Sequence, residues 1–105
     1  MKKYNLSKIM KMAWQFVKRN GFSISQALIS AWKNAKTSRK MRMGIAHFWF
    51  RKINGEIREA FGTLKDGIVP QTNGNHRDNP TLQTYYDTER QDWRCYKIAN
   101  IVAVE

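Results

Sequence analysis

The chain has 105 residues, enough for one domain that buries a modest core without a metal ion or disulfides. Four Trp, five Phe and four Tyr exclude a disordered basic tail, and the lone cysteine, Cys95, excludes an internal disulfide and a cysteine-based zinc site. No run of about 20 apolar residues is present to span a membrane, and Lys8 and Lys11 interrupt any signal-peptide core. We therefore expect a cytoplasmic protein.

Charge is distributed unevenly along the chain. Residues 1–52 hold 13 Lys or Arg and no acidic residue, whereas residues 53–105 hold 6 Lys or Arg and 8 Asp or Glu. The first half thus carries a net charge of +13 and the second half −2. Because a field of one sign concentrates polyanions, this asymmetry favours contact with nucleic acid or a nucleoprotein complex. Solubility alone is the alternative explanation.

The first predicted helix lies near the N-terminus. Apolar residues recur at helical spacing from Leu6 to Val17. Asn5 or Ser7 is placed to cap its start, and Gly21 is placed to end it. The sequence therefore predicts an amphipathic helix that stops at a glycine turn.

The polar face of this helix is basic. Its cations are Lys8, Lys11 and Lys18. A basic amphipathic helix that also bears Trp14 and Phe16 is able to lie on an anionic membrane surface. Packing of both aromatic residues in the core is the simpler interpretation, so no membrane partner is predicted.

The second predicted helix runs from Ile24 to Lys36. Ser23 and Gln26 form a capping-box signature before its apolar positions, and the two helices make an αα-hairpin. A DNA-reading helix-turn-helix is an alternative interpretation. The side chains expected to face outward form a thin set for reading base edges: Ser25, Ile29, Ser30, Lys33 and Asn34.

A basic connector is predicted at Lys36–Gly44. It contains no acidic residue to neutralise its four cations, which are Lys36, Arg39, Lys40 and Arg42. The segment is typical of a solvated linker. Alternatively it is a phosphate clamp, because Lys and Arg contacts to the backbone supply most sequence-independent affinity for nucleic acid.

A β-hairpin is predicted at Ile45–Leu64. Asn54-Gly55 separates two runs rich in β-branched and aromatic residues, which predicts a two-residue type I′ turn. That turn would place Arg51 opposite Arg58, and Trp49 opposite Ala60.

The same register divides the hairpin into two faces. The predicted core face carries Phe48, Phe50, Ile57 and Phe61, and the other face carries His47, Trp49, Arg51 and Arg58. Arginines beside an exposed aromatic ring suit the stacking and phosphate contacts of a single strand. In the alternative interpretation, the N-terminal helices cover Trp49 and the arginines are merely solvated.

The rest of the chain reads as short strands between turns. Lys65-Asp66-Gly67 is a predicted turn, and Gln71–Pro80 is a loop by its breaker residues. The remaining predicted elements are strands at Thr81–Asp87, Asp92–Lys97 and Ile101–Val104, with a 3₁₀ turn at Ile98–Asn100.

Five strands with a 3₁₀ turn before the last resemble an SH3-like β-barrel. The resemblance is carried by Gly55-Glu56-Ile57-Arg58, Gly62-Thr63-Leu64, Tyr85-Tyr86-Asp87 and Trp93-Arg94-Cys95-Tyr96-Lys97. These segments resemble small SH3-like barrel proteins of uncharacterised function from bacteria and their phages, over Gly44 to Val104. The resemblance implies an α+β fold: a basic helical hairpin and connector at 1–43, then a five-stranded barrel at 44–105, in one compact unit. It implies no activity.

Catalytic chemistry is poorly represented. The sequence has no P-loop, dinucleotide fingerprint or metal-spaced histidine pair. His47 and His76 are candidates for acid–base work, but nothing in the sequence brings them together. Asp87, Glu89 and Asp92 lack an EF-hand pattern, and turn capping or pairing with Arg90 or Arg94 explains them more simply. Cys95 is predicted to be a small buried side chain. We expect no enzyme, no metal, no cofactor and no small-molecule substrate.

The predicted function is non-catalytic binding of RNA or DNA, or of a nucleoprotein complex, through a basic surface. The candidate binding residues are Lys8, Lys11, Lys18, Lys33, Lys36, Arg39, Lys40, Arg42, Trp49, Arg51 and Arg58. The alternative is a phage-encoded anti-CRISPR protein that inhibits an RNA-guided nuclease, since several small phage proteins of this size do so.

Overall fold

The computed structural model describes residues 4–69, 79 and 81–105. Most of the predicted loop at Gln71–Pro80, including His76, lies outside the described residues. Within them, two helices precede a five-stranded sheet, which confirms the predicted α+β class. The elements are α1 (Leu6–Asn20), α2 (Ile24–Met43), β1 (Ile45–Arg51), β2 (Ile57–Thr63), β3 (Leu82–Asp87), β4 (Asp92–Lys97), a 3₁₀ helix (Ile98–Asn100) and β5 (Ile101–Val104).

The helix ends follow the predicted capping signals. The side chain of Asn5 accepts a hydrogen bond from the backbone N–H of Lys8 at 3.2 Å, which caps α1. Gly21 ends α1 with φ at 69°, a left-handed conformation that glycine adopts at least cost. Ser23 and Gln26 exchange both hydrogen bonds of a capping box at the start of α2.

The prediction of a connector at Lys36–Gly44 is wrong, because α2 continues through this segment to Met43. The segment contains no Gly or Pro before Gly44, and Thr37 and Met41 form a buried face that packs on the sheet. The backbone N–H of Leu64 donates to the Met41 carbonyl at 2.9 Å, which ties the helix end to β2. The cations of this segment are therefore held on a helix. The predicted division after residue 43 stays a prediction.

The predicted hairpin register is wrong by one residue. Arg51 pairs with Ile57, and Phe50 pairs with Arg58. Only Gly55 of the turn pair has a positive φ, at 93°, whereas the Asn54 side chain accepts a hydrogen bond from the Glu56 N–H. A type I′ turn needs a positive φ at both residues, so a longer loop forms at residues 52–56 instead.

The register shift changes which residues of the hairpin reach the core. Phe48 and Phe50 are buried, as predicted. Ile57 is exposed, and Phe61 is half-buried with its ring stacked on His47, so both predictions of a core position are wrong. A one-residue shift reverses the face of every partner on the second strand, which places Ala60 in the core.

In the described part of the chain, the strands form one antiparallel sheet in the order β4-β3-β2-β1-β5. One buried cluster joins the helices to this sheet, from Ile9 and Phe16 of α1 to Phe48 and Tyr96 of the strands. Cys95 is exposed, so its predicted burial is wrong. No helix in the described ranges is long and apolar enough to cross a membrane.

Candidate nucleic-acid interface

The cations of α1 form an exposed stripe. Lys8, Lys11 and Lys18 are all exposed: Lys11 and Lys18 lie on the face opposite the buried residues Ile9 and Phe16, and Lys8 lies between the two faces. No acidic residue occurs on this helix. The predicted basic face is therefore present and open to a polyanion.

The cations of α2 fall into two groups. Lys36, Lys40 and Arg42 are exposed. Lys33 instead donates from Nζ to the Val102 carbonyl at 2.8 Å, and the Arg39 guanidinium lies over the Tyr4 ring at 5.8 Å. Lys33 therefore attaches α2 to β5, which leaves fewer helical cations for a ligand than the sequence predicted.

Asn34 also differs from its predicted outward position. It is buried, donating from Nδ2 to the Ile98 carbonyl at 2.7 Å and accepting at Oδ1 from the Tyr96 hydroxyl at 2.9 Å. Its amide therefore joins α2 to the 3₁₀ helix and β4. This side chain does not belong to a base-reading surface.

The predicted stacking face is not assembled as expected. Trp49 is half-buried beside the His47 ring, with the ring centroids 4.3 Å apart. Arg58 pairs with Phe50 across the hairpin, which places it on the other face of the sheet from Trp49 and Arg51. The prediction that these three side chains share one face is wrong, and the register shift is the reason.

Arg51 and Arg58 nevertheless both line one cavity. It has a volume of about 680 Å³ and lies between the β1–β2 loop, β3, β4 and the 3₁₀ helix. Among the residues that the structure describes, its cations are Arg51, Lys52, Arg58, Arg94 and Lys97, and no acidic residue lines it. Its apolar and aromatic walls are formed by Phe50, Ile53, Leu82, Tyr85, Cys95 and Tyr96.

A buried carboxylate holds two of these cations in place. Asp87 Oδ2 lies 3.7 Å from Arg58 Nη2 and 3.7 Å from Arg94 Nε. Its Oδ1 accepts from the backbone N–H groups of Glu89 and Arg90. The predicted pairing of Asp87 with Arg94 is confirmed. Arg58 and Arg94 therefore form a fixed part of the wall.

The other three cations stand at the cavity opening. Arg51 Nη1 donates to the Gly55 carbonyl at 3.0 Å, and Lys52 Nζ lies 3.9 Å from the Glu56 carboxylate. Lys97 is exposed. Arg51 and Lys97 are exposed and the Lys52–Glu56 pair is long, so none of these three cations is neutralised by a buried carboxylate.

The floor of the cavity is aromatic and neutral. The rings of Phe50 and Tyr96 stack with centroids 5.2 Å apart. Burial raises the pKa of Tyr96 far above its ordinary value of 10.0, and burial also raises the pKa of Tyr85. Both phenols therefore stay uncharged at neutral pH and add no negative charge beneath the cations.

His47 lies in a second cluster, away from the cavity. Its Nε2 is 3.0 Å from Glu59 Oε2, and its Nδ1 contacts Glu105 Oε2. Burial lowers the pKa of His47, but the two carboxylates raise it more, so the net pKa lies above 6.5. The described ranges contain no group of three His, Cys, Asp or Glu that could hold a metal ion.

Sequence reasoning missed most of the cavity wall. The sequence predicts Arg94 only as a partner for acidic residues, and it does not single out Lys97. The available signal was the alternation in β4, where Arg94 and Tyr96 share a face two residues apart.

A helical hairpin packed on a five-stranded antiparallel sheet, with a 3₁₀ turn before the last strand, defines an SH3-like β-barrel protein. The family described as WYL_2, Sm-like SH3 beta-barrel fold matches residues 34–102. This is more than half of the chain, so the chain belongs to that family. The match includes the whole cavity wall. No curated protein and no solved structure matches the chain.

Proposed function

We propose that this protein binds single-stranded RNA or DNA without catalysing a reaction. One observation carries the proposal: in the described part of the chain, a cavity of about 680 Å³ has an aromatic floor, five Lys or Arg in its wall and no acidic residue. In this proposal the cavity receives one unpaired nucleotide. Its base lies against Phe50 and Tyr96, and its phosphates contact Arg51 and Lys97.

The chemistry of the wall supports a nucleotide over other ligands. A volume of this size lies within the range of small-ligand sites, and aromatic walls bind unstacked bases. Phosphates need cations, and the cavity wall offers three that no buried carboxylate neutralises: Arg51, Lys52 and Lys97. A paired base cannot leave its duplex without an energetic cost, so the cavity favours single strands.

The exposed cations of both helices supply a second contribution. These residues are Lys8, Lys11, Lys18, Lys36, Lys40 and Arg42. Contacts between such side chains and flanking phosphates add affinity that does not depend on base sequence. The proposal therefore has a specific part, the cavity, and a general part, the helical cations.

The test is fluorescence anisotropy with three labelled ligands of equal length: a single strand, a duplex, and a single strand with abasic sites. We expect the intact single strand to bind at least about 10-fold more tightly than the other two, because only it offers unpaired bases. Equal affinity for the intact and abasic strands would show that the cavity does not bind a base.

A protein-directed function is the second candidate. The exposed apolar side chains on the helices favour it, and it includes inhibition of an RNA-guided nuclease by a protein of phage origin. This candidate predicts that none of the three labelled nucleic acids binds measurably at ~150 mM salt, whereas the proposed function predicts binding of the single strand.

A further inference from the structure

Away from the cavity, the helical hairpin leaves a row of apolar side chains open to solvent. Leu6, Met10 and Trp14 of α1 are 53%, 45% and 48% exposed and lie four residues apart. Ile24, at the start of α2, is 55% exposed. Single exposed apolar residues are normal on a surface, but a row at helical spacing marks an interaction surface.

The row borders a shallow groove between the two helices. We call it the hairpin groove, and its walls are Met10, Trp14, Val17, Ile24 and Leu28. Ala13 and Ala27 also line it, and both are buried. The groove is shallow, with a volume of only about 20 Å³, so the apolar side chains of a partner lie across its exposed walls and do not enter a deep recess.

Cations lie beside the groove. Each residue turns the helix by 100°, so Lys18 and Lys11 lie next to Trp14 on the surface of α1. Between Leu6 and Met43 the chain has nine Lys or Arg and no Asp or Glu. A partner that covers the groove therefore meets an apolar centre with a positive border.

We propose that the hairpin groove binds an acidic amphipathic helix of a partner protein. The apolar face of that helix covers the groove, and its Asp or Glu residues face the bordering lysines. This interaction does not depend on the nucleotide cavity, but it uses Lys11 and Lys18, which the proposed function also assigns to flanking phosphates, so the two ligands compete for these lysines.

Charge and shape disfavour two other occupants. A second copy of this chain would bring its own cationic hairpin against the first, and like charges repel. A lipid surface is flat and fluid, whereas the exposed apolar side chains lie on two helices with a shallow groove between them. Leu6 and Val17 are eleven residues apart, which is about 16 Å along the helix, so the partner helix needs about three turns.

The probe is a fluorescein-labelled synthetic peptide of about 18 residues, with Leu at positions i, i+3, i+4 and i+7 and Glu on the other face. Two control peptides have the same Leu pattern with Lys in place of Glu, or the same composition in a scrambled order. Anisotropy is measured with the full chain at ~150 mM salt. We expect the acidic amphipathic peptide to bind at least about 10-fold more tightly than either control.

A matched pair of variants locates the site. Ile24 and Ile29 are both on α2 and both 55% exposed, but only Ile24 lines the groove. We expect Ile24→Ala to weaken peptide binding about 5-fold and Trp14→Ala about 10-fold, while Ile29→Ala leaves it unchanged. Circular dichroism of each variant checks that the helices remain folded.

Three results would overturn the proposal. The first is no preference for the acidic amphipathic peptide over its controls. The second is equal effects of Ile24→Ala and Ile29→Ala. The third is that the peptide does not bind, whereas the chain self-associates in sedimentation or binds phosphatidylserine vesicles and loses this property when Trp14 is replaced.

Discussion

Asp87 is the residue that organises the wall of the cavity. It is 3% exposed, caps the turn after β3 through two backbone N–H groups, and lies within ion-pair distance of Arg58 and Arg94. Removing its charge leaves two partly buried guanidinium groups without a carboxylate. Such groups are costly because their charges lose solvation as well as a partner.

We expect Asp87→Asn to lower the free energy of unfolding by about 2 kcal/mol. This is less than the loss expected when a fully buried ion pair is broken, because both arginines retain some solvent contact. Asparagine keeps the oxygen that accepts the turn hydrogen bonds, so the loss reports the charge. Urea denaturation measures it, with Asp66→Asn as an exposed control. Equal losses in the two variants would refute the role of Asp87.

His47 makes stability depend on pH. Burial lowers its pKa, but Glu105 and Glu59 raise it more, so the folded-state pKa lies above the unfolded value of 6.5. The imidazolium therefore stabilises the fold fully below pH 6.5, and this contribution disappears as pH rises through the folded-state pKa.

We expect the urea midpoint of the native chain to fall relative to that of His47→Gln as the pH rises above 6.5 and through the raised pKa of the folded state. The variant cannot bind this proton, so the difference between the two midpoints isolates His47. A difference that is constant over the whole range would show that the folded chain does not favour the protonated ring.

At the scale of elements, the junction between α2 and the strands depends on one amide. Asn34 bonds to the Ile98 carbonyl and to the Tyr96 hydroxyl, while Lys33 bonds to the Val102 carbonyl. β4, the 3₁₀ helix and β5 are therefore all hydrogen-bonded to the same part of α2. This junction also positions Tyr96 in the floor of the cavity.

We expect Asn34→Leu to cost about 2 to 3 kcal/mol, because it leaves the buried Tyr96 hydroxyl and Ile98 carbonyl without their partner. Tyr96→Phe should cost about 1 kcal/mol, and the double variant less than the sum, because both changes remove one shared bond. Urea denaturation of the three variants measures the coupling. Additive losses would mean that the two side chains act independently.

Elements with strong local signals were predictable from sequence. Ser23 and Gln26 cap α2 as expected, and β4, the 3₁₀ turn and β5 have their predicted bounds. The hairpin register was not predictable, because it depends on whether Asn54 adopts a positive φ or uses its side chain in a local hydrogen bond. The length of α2 was missed because burial of Met41 against the sheet outweighs a polar, basic composition.

At the scale of the molecule, the charge asymmetry was visible in the sequence, but the cavity was not. Its wall combines the β1–β2 loop with β3 and β4, and only the fold brings Arg51, Arg58 and Arg94 together. Residue counts predict how many cations are present. They do not predict which ones carboxylates and carbonyls already hold, as with Lys33 and Arg58.

The most direct test of the account is the salt dependence of single-strand binding in two matched double variants. Arg51→Gln/Lys97→Gln removes two cations from the cavity opening, and Lys65→Gln/Arg90→Gln removes the same charge from exposed sites outside the cavity wall. Anisotropy from ~50 to ~200 mM salt gives the slope of log K against log salt. We expect this slope to be reduced by about 1.4 in the first variant, which is about 0.7 for each lost phosphate contact. In the second variant we expect it to change little. Equal reductions in both variants would contradict the cavity as the nucleotide site.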